Sequence, residues 1–377
     1  MKLTKFMCAA FAAAVALVSC QKEAEVDNAP VNSNYKSVEV SINNIQLAAT
    51  KSLGSNQDLT GEKIQLNSLQ FFFSDGTTFY TAKNADQTLS DVYLDASELN
   101  ALNGNISLSF HFLPSAVKEV VVVGNLPELT VGNKTGLDRT LEIVNLQDIT
   151  NFPLYAEGAL TTNVVNDHES GNAGHVSNVY KVTLNVIPCV ARFEIKKIGC
   201  NFTSTDKTIT VKSMAFADFY DKCDFRSGNV YSETLRSVDL TQQGIFNYFA
   251  NTMNKTKWNN DFFDGSDPRC PEVVLTNAKS SVDVNIAYNF FCNGHTTSPV
   301  HLLNIIEKVG EGADNPAYLF TNTYKMNSGS KVTTFEPGKI YRMNIVFNED
   351  KLQHQDRCLD ITVNVASWDL IEVTPEF

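Results

Sequence analysis

Residues 38–43 read Val38-Glu39-Val40-Ser41-Ile42-Asn43, apolar and polar side chains in turn. A period of two puts Val38, Val40 and Ile42 on one face of an extended chain and the polar residues on the other. That is the mark of a strand with one buried face. Strand-like runs recur at Ile64–Ser74, Ile106–Phe112, Lys118–Gly124, Tyr180–Val186, Val190–Ile198, Thr208–Phe219, Val282–Cys292, His301–Glu307, Ile340–Phe347 and Leu359–Val365. Val120 to Val123 is apolar without a break, which predicts burial on both faces. Asp75-Gly76, Asn103-Gly104, Ser227-Gly228 and Pro337-Gly338 supply turns between runs. Helical signals are confined to Asp95–Leu102 and a short stretch within 239–257. Many short strands and little helix predict an all-β chain of sandwiches.

The chain has 377 residues, 43% hydrophobic and 19% charged, which is ordinary for a globular protein. At ~150 residues per domain the length allows about two domains. The polar stretch 166–178 near mid-chain is the natural seam, giving sandwiches over 36–180 and 181–377. Lys plus Arg is 30 against 42 for Asp plus Glu, a net charge of −12. Such an acidic chain lacks the basic footprint that holds phosphate backbones, so nucleic acid is not expected as a partner.

Residues 1–19 have the form of an export signal: Lys2 and Lys5, then an apolar stretch from Phe6 to Val18. Leu17-Val18-Ser19-Cys20 resembles a bacterial lipobox, which makes Cys20 the lipidated first residue of the exported protein. Gln21 in place of Asp resembles lipoproteins sorted to the outer membrane, and Gln21–Glu25 resembles a surface-export tag. Without residues 1–19 the chain has 28 basic and 42 acidic side chains, a net of −14. Residues 20–35 carry no apolar periodicity and read as a lipidated tether. The expected location is the outer face of the outer membrane.

Six cysteines remain after Cys8 and Cys20: Cys189, Cys200, Cys223, Cys270, Cys292 and Cys358. Six allow 15 complete pairings, which spacing alone does not choose between. Cys189 and Cys200 bracket one extended strand, about 35 Å long at ~3.3 Å per residue, too far to be bridged to each other. No P-loop, G-x-S-x-G, H-E-x-x-H or C-x-x-C signature is present. Asp167-His168-Glu169 with His175, and Cys292 with His295, are thin candidates for metal ligands and read more simply as loops. Asp261 to Asp267 lacks the alternating oxygen ligands of a calcium loop. Neither an enzyme nor a cofactor or metal site is expected.

Several segments together resemble the major fimbrial subunit (fimbrillin) family of Bacteroidetes type V pili. They are the lipobox, the first strand ending at Ala49-Thr50-Lys51-Ser52, and Lys63 to Phe73. Further along they are Val121-Val122-Val123-Gly124-Asn125-Leu126-Pro127, Val190-Ala191-Arg192-Phe193-Glu194-Ile195, Tyr341 to Ile345 and Leu359 to Trp368. The resemblance spans nearly the whole chain as spaced motifs. It implies two tandem transthyretin-like sandwiches and a lipoprotein precursor. A trypsin-like protease would cut after a basic residue beyond the first strand, and that strand would leave. The C-terminal strand of another subunit would then fill the groove by strand addition.

On this sequence the displaced strand would be 36–47, with Val38, Val40, Ile42, Ile45 and Leu47 filling pockets. The cut would fall after Lys51, leaving Ser52 first, because the first Arg is Arg139, inside the fold. Lys36 is the poorer site, since cutting there spares the strand. The donor would be 359–377, with Ile361, Val363, Val365, Trp368, Leu370, Ile371 and Val373. Burying four such side chains gives roughly 6–12 kcal/mol at ~1.5–3 kcal/mol each. Partners would be other pilus subunits, joined head to tail in a homo-polymer or hetero-assembly. The processing protease, the membrane and an unnamed host or bacterial surface ligand complete the list. A chain that keeps its strand would instead be an anchor or terminal subunit. A monomeric surface lipoprotein binding a glycan or host ligand through Trp258, Phe262, Phe263 and Tyr220 is the competing reading.

Overall fold

The computed structural model describes residues 35–43, 45–47, 63–83, 88–89, 92–102, 106–146, 152–165, 178–241, 243–247, 263–264, 273–291, 301–309, 317–326, 332, 334–348, 358–367 and 369–372. The chain opens with β1 (Tyr35–Ile42), β2 (Ile45–Leu47), β3 (Lys63–Leu66) and β4 (Ser68–Ser74). β5 (Phe79–Tyr80), β6 (Tyr93–Asp95) and helix α1 (Ala96–Ala101) follow. Next come β7 (Ile106–Pro114), β8 (Glu119–Gly124), β9 (Thr140–Glu142) and β10 (Leu154–Ala159). β11 (Thr161–Val165), β12 (Asn178–Leu184) and β13 (Ile187–Pro188) lead to the long β14 (Val190–Asn201). Then come β15 (Thr208–Ala217), β16 (Lys222–Asp224), β17 (Phe263–Asp264), β18 (Val273–Thr276) and β19 (Ser281–Phe291). The chain ends with β20 (His301–Val309), β21 (Ala317–Met326), β22 (Lys339–Asn348), β23 (Cys358–Ser367) and β24 (Asp369–Glu372). The fold is all-β.

Two sheets form a sandwich from the first part of the chain. One runs β11-β12-β1-β7, the other β13-β10-β8-β4-β5 with β6 beside β4. Phe110 of β7 meets Phe71 and Phe73 of β4 across the gap, with ring centroids 5.4 and 4.8 Å apart. Val120 to Val123 are all buried, as their unbroken apolar run predicts. Strand β12 belongs with β1 and β14 opens the next sheet, so the chain crosses between sheets at 185–189.

The second part is one large sheet, β17-β15-β20-β21-β23-β22-β14-β19, with β18 also on β15. It curls until its ends face each other. Phe193 of β14 stacks on Phe216 of β15 at 5.1 Å and on Tyr324 of β21 at 5.5 Å. Beside it, Phe290 of β19 lies 4.4 Å from Phe193. Smaller links join the two parts. β9 pairs with β16, the Asn289 amide donates to the Leu146 carbonyl at 2.7 Å, and β24 pairs with β2 and β3.

Ile64–Ser74, expected as one strand, is two strands in different sheets. Asn67 breaks it: its N–H donates to the Asn125 Oδ1 at 2.7 Å, and the Ser68 hydroxyl donates to the Leu126 carbonyl at 2.9 Å. Asn125 sits in the left-handed region at φ 56°, which turns the chain at the end of β8. Helix α1 forms where expected, because Asp95 and Glu98 build a capping box around its first turn. Within 239–257 only residues 243–247 are helical among those described.

Candidate functional site

The first strand described sits mid-sheet. β1 pairs in parallel with β12, from Lys36 opposite Asn178 to Ile42 opposite Leu184. On its other side it runs antiparallel to β7, with Val38 opposite Phe110 and Ile42 opposite Ile106. Both edges of β1 are therefore used, and both neighbours would gain a free edge if it left. Val38 and Val40 are wholly buried and Ile42 nearly so, while Glu39 and Ser41 are half-buried on the outer face. Those three side chains contribute roughly 5–9 kcal/mol of apolar burial.

Polar contacts fix the ends of β1. Lys36 is buried, its Nζ donating to the Val117 carbonyl at 2.7 Å and lying 4.3 Å from the Tyr180 ring centre. Burial pushes its pKa down. The Ser37 hydroxyl and His111 Nδ1 share a hydrogen bond of 3.0 Å. Glu39 pairs with Lys181 at 2.9 Å on the outer face. Opposite Ser37, β7 carries an extra residue, and the bulge puts Phe112 at φ 53°, its ring edge-on to Tyr35. At the far end the Asn43 N–H donates to the Leu184 carbonyl at 3.1 Å.

The expected donor segment divides in two. Ile361, Val363 and Val365 are on β23, which lies between β21 and β22 in the large sheet. Val363, for instance, is opposite Met326 on one side and Met343 on the other. Leu370 and Ile371 are on β24, which lies between β2 and β3 and runs parallel to both. Leu370 is opposite Ile45 and Ile64, and Leu47 is opposite Glu372. Cys20, Lys51, Ser52, Trp368 and Val373 lie outside the described residues, as do Asp167, His168, Glu169, His175, Cys292 and His295. So do Trp258, Phe262 and Cys270, while Tyr220 is half-buried and Phe263 is on β17.

Cys189, Cys200 and Cys223 are free thiols. Burial raises the pKa of all three, that of Cys223 to about 12. Among the described residues no group of three or more His, Cys, Asp or Glu could hold a metal ion. A cleft of about 580 Å³ lies beside β10 and β12, lined by Tyr155, Glu157, Leu184, Phe225 and Arg226 among others. Two polar pairs lie at it. Tyr155 donates to Glu157 at 2.7 Å, and Arg226 pairs with Asp138 at 2.8 Å.

The pairing of β24 with β2 and β3 was not read from the sequence. A four-residue strand on backbone partners leaves no periodic signal of its own.

No protein-family model matches the chain, and no curated protein sequence does. Solved structures do. A candidate cell adhesion protein from Parabacteroides distasonis ATCC 8503 superposes with a TM-score of 0.52 at 13% identity, covering 90% of this chain and 99% of that one. A candidate cell adhesion protein from Bacteroides eggerthii gives 0.46 at 17%, covering 92% and 99%. A fimbrilin from Porphyromonas gingivalis W83 gives 0.49 at 12%, covering 89% and 98%. The chain thus shares the overall fold of the Parabacteroides protein.

Proposed function

We propose that this chain is a pilus subunit. In this reading it is exported as an outer-membrane lipoprotein through Cys20 and cut after Lys51 by a trypsin-like protease. It then polymerises by strand exchange and supports adhesion. The observation that carries the reading is the seat of β1, the first strand described, mid-sheet and paired on both edges. An N-terminal strand at a sheet edge would leave no slot on departure. Removing a central strand leaves two facing rows of unpaired backbone groups and the hollows of Val38, Val40 and Ile42. Such a slot is filled by strand addition. The shared fold with a candidate cell adhesion protein agrees with this role by analogy alone.

Within this reading the donor is narrower than 359–377. β23 has neighbours on both sides, so freeing Ile361, Val363 and Val365 would open the large sheet. The donor in this proposal is therefore the segment after Ser367, with Trp368, Leu370, Ile371 and Val373, and β23 anchors it.

Limited trypsin digestion of the exported chain, with N-terminal mass analysis and native sizing, tests the proposal. A new N-terminus at Ser52 with a ladder of oligomers, lost on deleting 369–377, is the expected result. A chain cut at Ser52 that stays monomeric would refute polymerisation and favour the monomeric binding module. Resistance at Lys51 would mark an anchor or terminal subunit that keeps its strand.

A further inference from the structure

The C-terminal strand has a place in its own chain. β24 lies between β2 and β3, with Leu370, Ile371 and Glu372 opposite Ile45, Gln46 and Leu47 on one side. On the other side Asp369 to Glu372 match Lys63 to Leu66 one for one. Both ladders are parallel, and parallel neighbours cannot be joined by a tight turn. β2 and β3 are joined by residues 48–62, long enough to cross over a strand inserted between them. The two strands that hold β24 therefore lie on opposite sides of any cut made in 48–62. One of them, β2, is continuous with β1.

We propose that the slot between β2 and β3 is a docking surface for the C-terminal strand, filled in cis so that the uncut chain withholds its own donor. A tethered strand meets its own slot at an effective concentration on the order of millimolar, so a second copy competes poorly while both walls stand. Loss of the N-terminal segment takes away β2, leaves β24 with β3 alone, and frees it for another subunit. One cut would then open the acceptor and release the donor together. What the released strand does next rests on the polymer reading above; the cis docking does not.

Amide exchange on the full exported chain tests this. The amides of Leu370, Ile371 and Glu372 are expected to exchange at least about tenfold more slowly than in a free peptide of residues 366–377. Adjacent amides of a strand point to opposite edges, so Ile45→Pro together with Gln46→Pro removes whichever β2 donor faces β24. That variant is expected to lose the protection at 370–372 while the amides of Val38, Val40 and Val182 keep theirs, which shows that the sandwich is folded. Free-peptide exchange at 370–372 in the unaltered chain would overturn the proposal. So would protection that survives both the double substitution and a cut between β2 and β3. Protection lost on cutting in a chain that stays monomeric would uphold the cis docking and refute the polymer.

Discussion

Arg192 and Glu194 stand two apart on β14, so the period of two puts both on one face, with Phe193 and Ile195 on the other. In an isolated strand such a face would meet water, yet both charged side chains are almost wholly buried. Glu194 accepts from Arg192 at 3.0 Å and from Arg342 at 2.9 Å, while Arg192 donates to Asn289 at 3.1 Å. Asn289 in turn donates to the Leu146 carbonyl of the first part of the chain. Alternation predicted the strand correctly but not the burial, because the cover comes from a segment some fifty residues away in sequence. Glu194→Ala would leave Arg192 buried without this carboxylate, and should cost about 3–5 kcal/mol in denaturant unfolding. A loss below about 1 kcal/mol would show the cluster to be solvated.

Asp75 makes a different claim at the same scale. Its carboxylate accepts from the Thr77 and Thr78 N–H groups at 2.8 and 2.9 Å and from the Tyr80 hydroxyl at 2.8 Å. The Thr78 N–H, then the Tyr80 hydroxyl and the Thr77 N–H, lower its pKa to about 2. A folded pKa below the unfolded one gives stability that is present above the ordinary carboxylate value and lost as pH falls through about 2. An NMR titration of the Asp75 carboxyl should have its midpoint near 2, whereas a midpoint near 4 would contradict the turn geometry.

Among elements, β1 was legible because Val38, Val40 and Ile42 alternate without a fault. Its position in the sheet was not, since alternation reports a buried face and says nothing of which strands lie alongside. β10, β11 and β21 carried too weak a pattern to be read. Leu154–Ala159 includes Glu, Gly and two Ala, and Ala317–Met326 mixes Asn, Thr and Lys with its aromatics. Gly158 is there for packing: a Cβ on it would lie 2.6 Å from Leu184 Cδ2 and 3.0 Å from Val182 Cγ2 across the sandwich. The candidate displaced strand could be drawn from sequence, whereas the slot it fills took the pairing of β7 and β12 to see. One consequence concerns Lys36, which is basic but buried in a strand paired on both sides. Native trypsin digestion should leave the bond after Lys36 intact while any accessible site beyond β2 is cut. Early cleavage between Lys36 and Ser37 would mean that β1 opens far more readily than its contacts allow.

For the whole molecule, strands far apart in sequence meet: β2, which follows β1, pairs with β24, the last strand described. Cutting after Lys51 would leave 25 basic and 38 acidic side chains, a net of −13, so subunits would repel one another until salt screens them. In the proposed assembly, head-to-tail strand exchange would overcome this by apolar burial and continuous backbone ladders, and it would give a fibre because the contact would never close on itself. The most direct measurement is cross-linking mass spectrometry on cut chains mixed from two isotope labels. Strand exchange predicts cross-links between 368–377 of one label and the β7 or β12 strands of the other. Cross-links confined to single-label pairs, in a sample cut cleanly before Ser52, would contradict it.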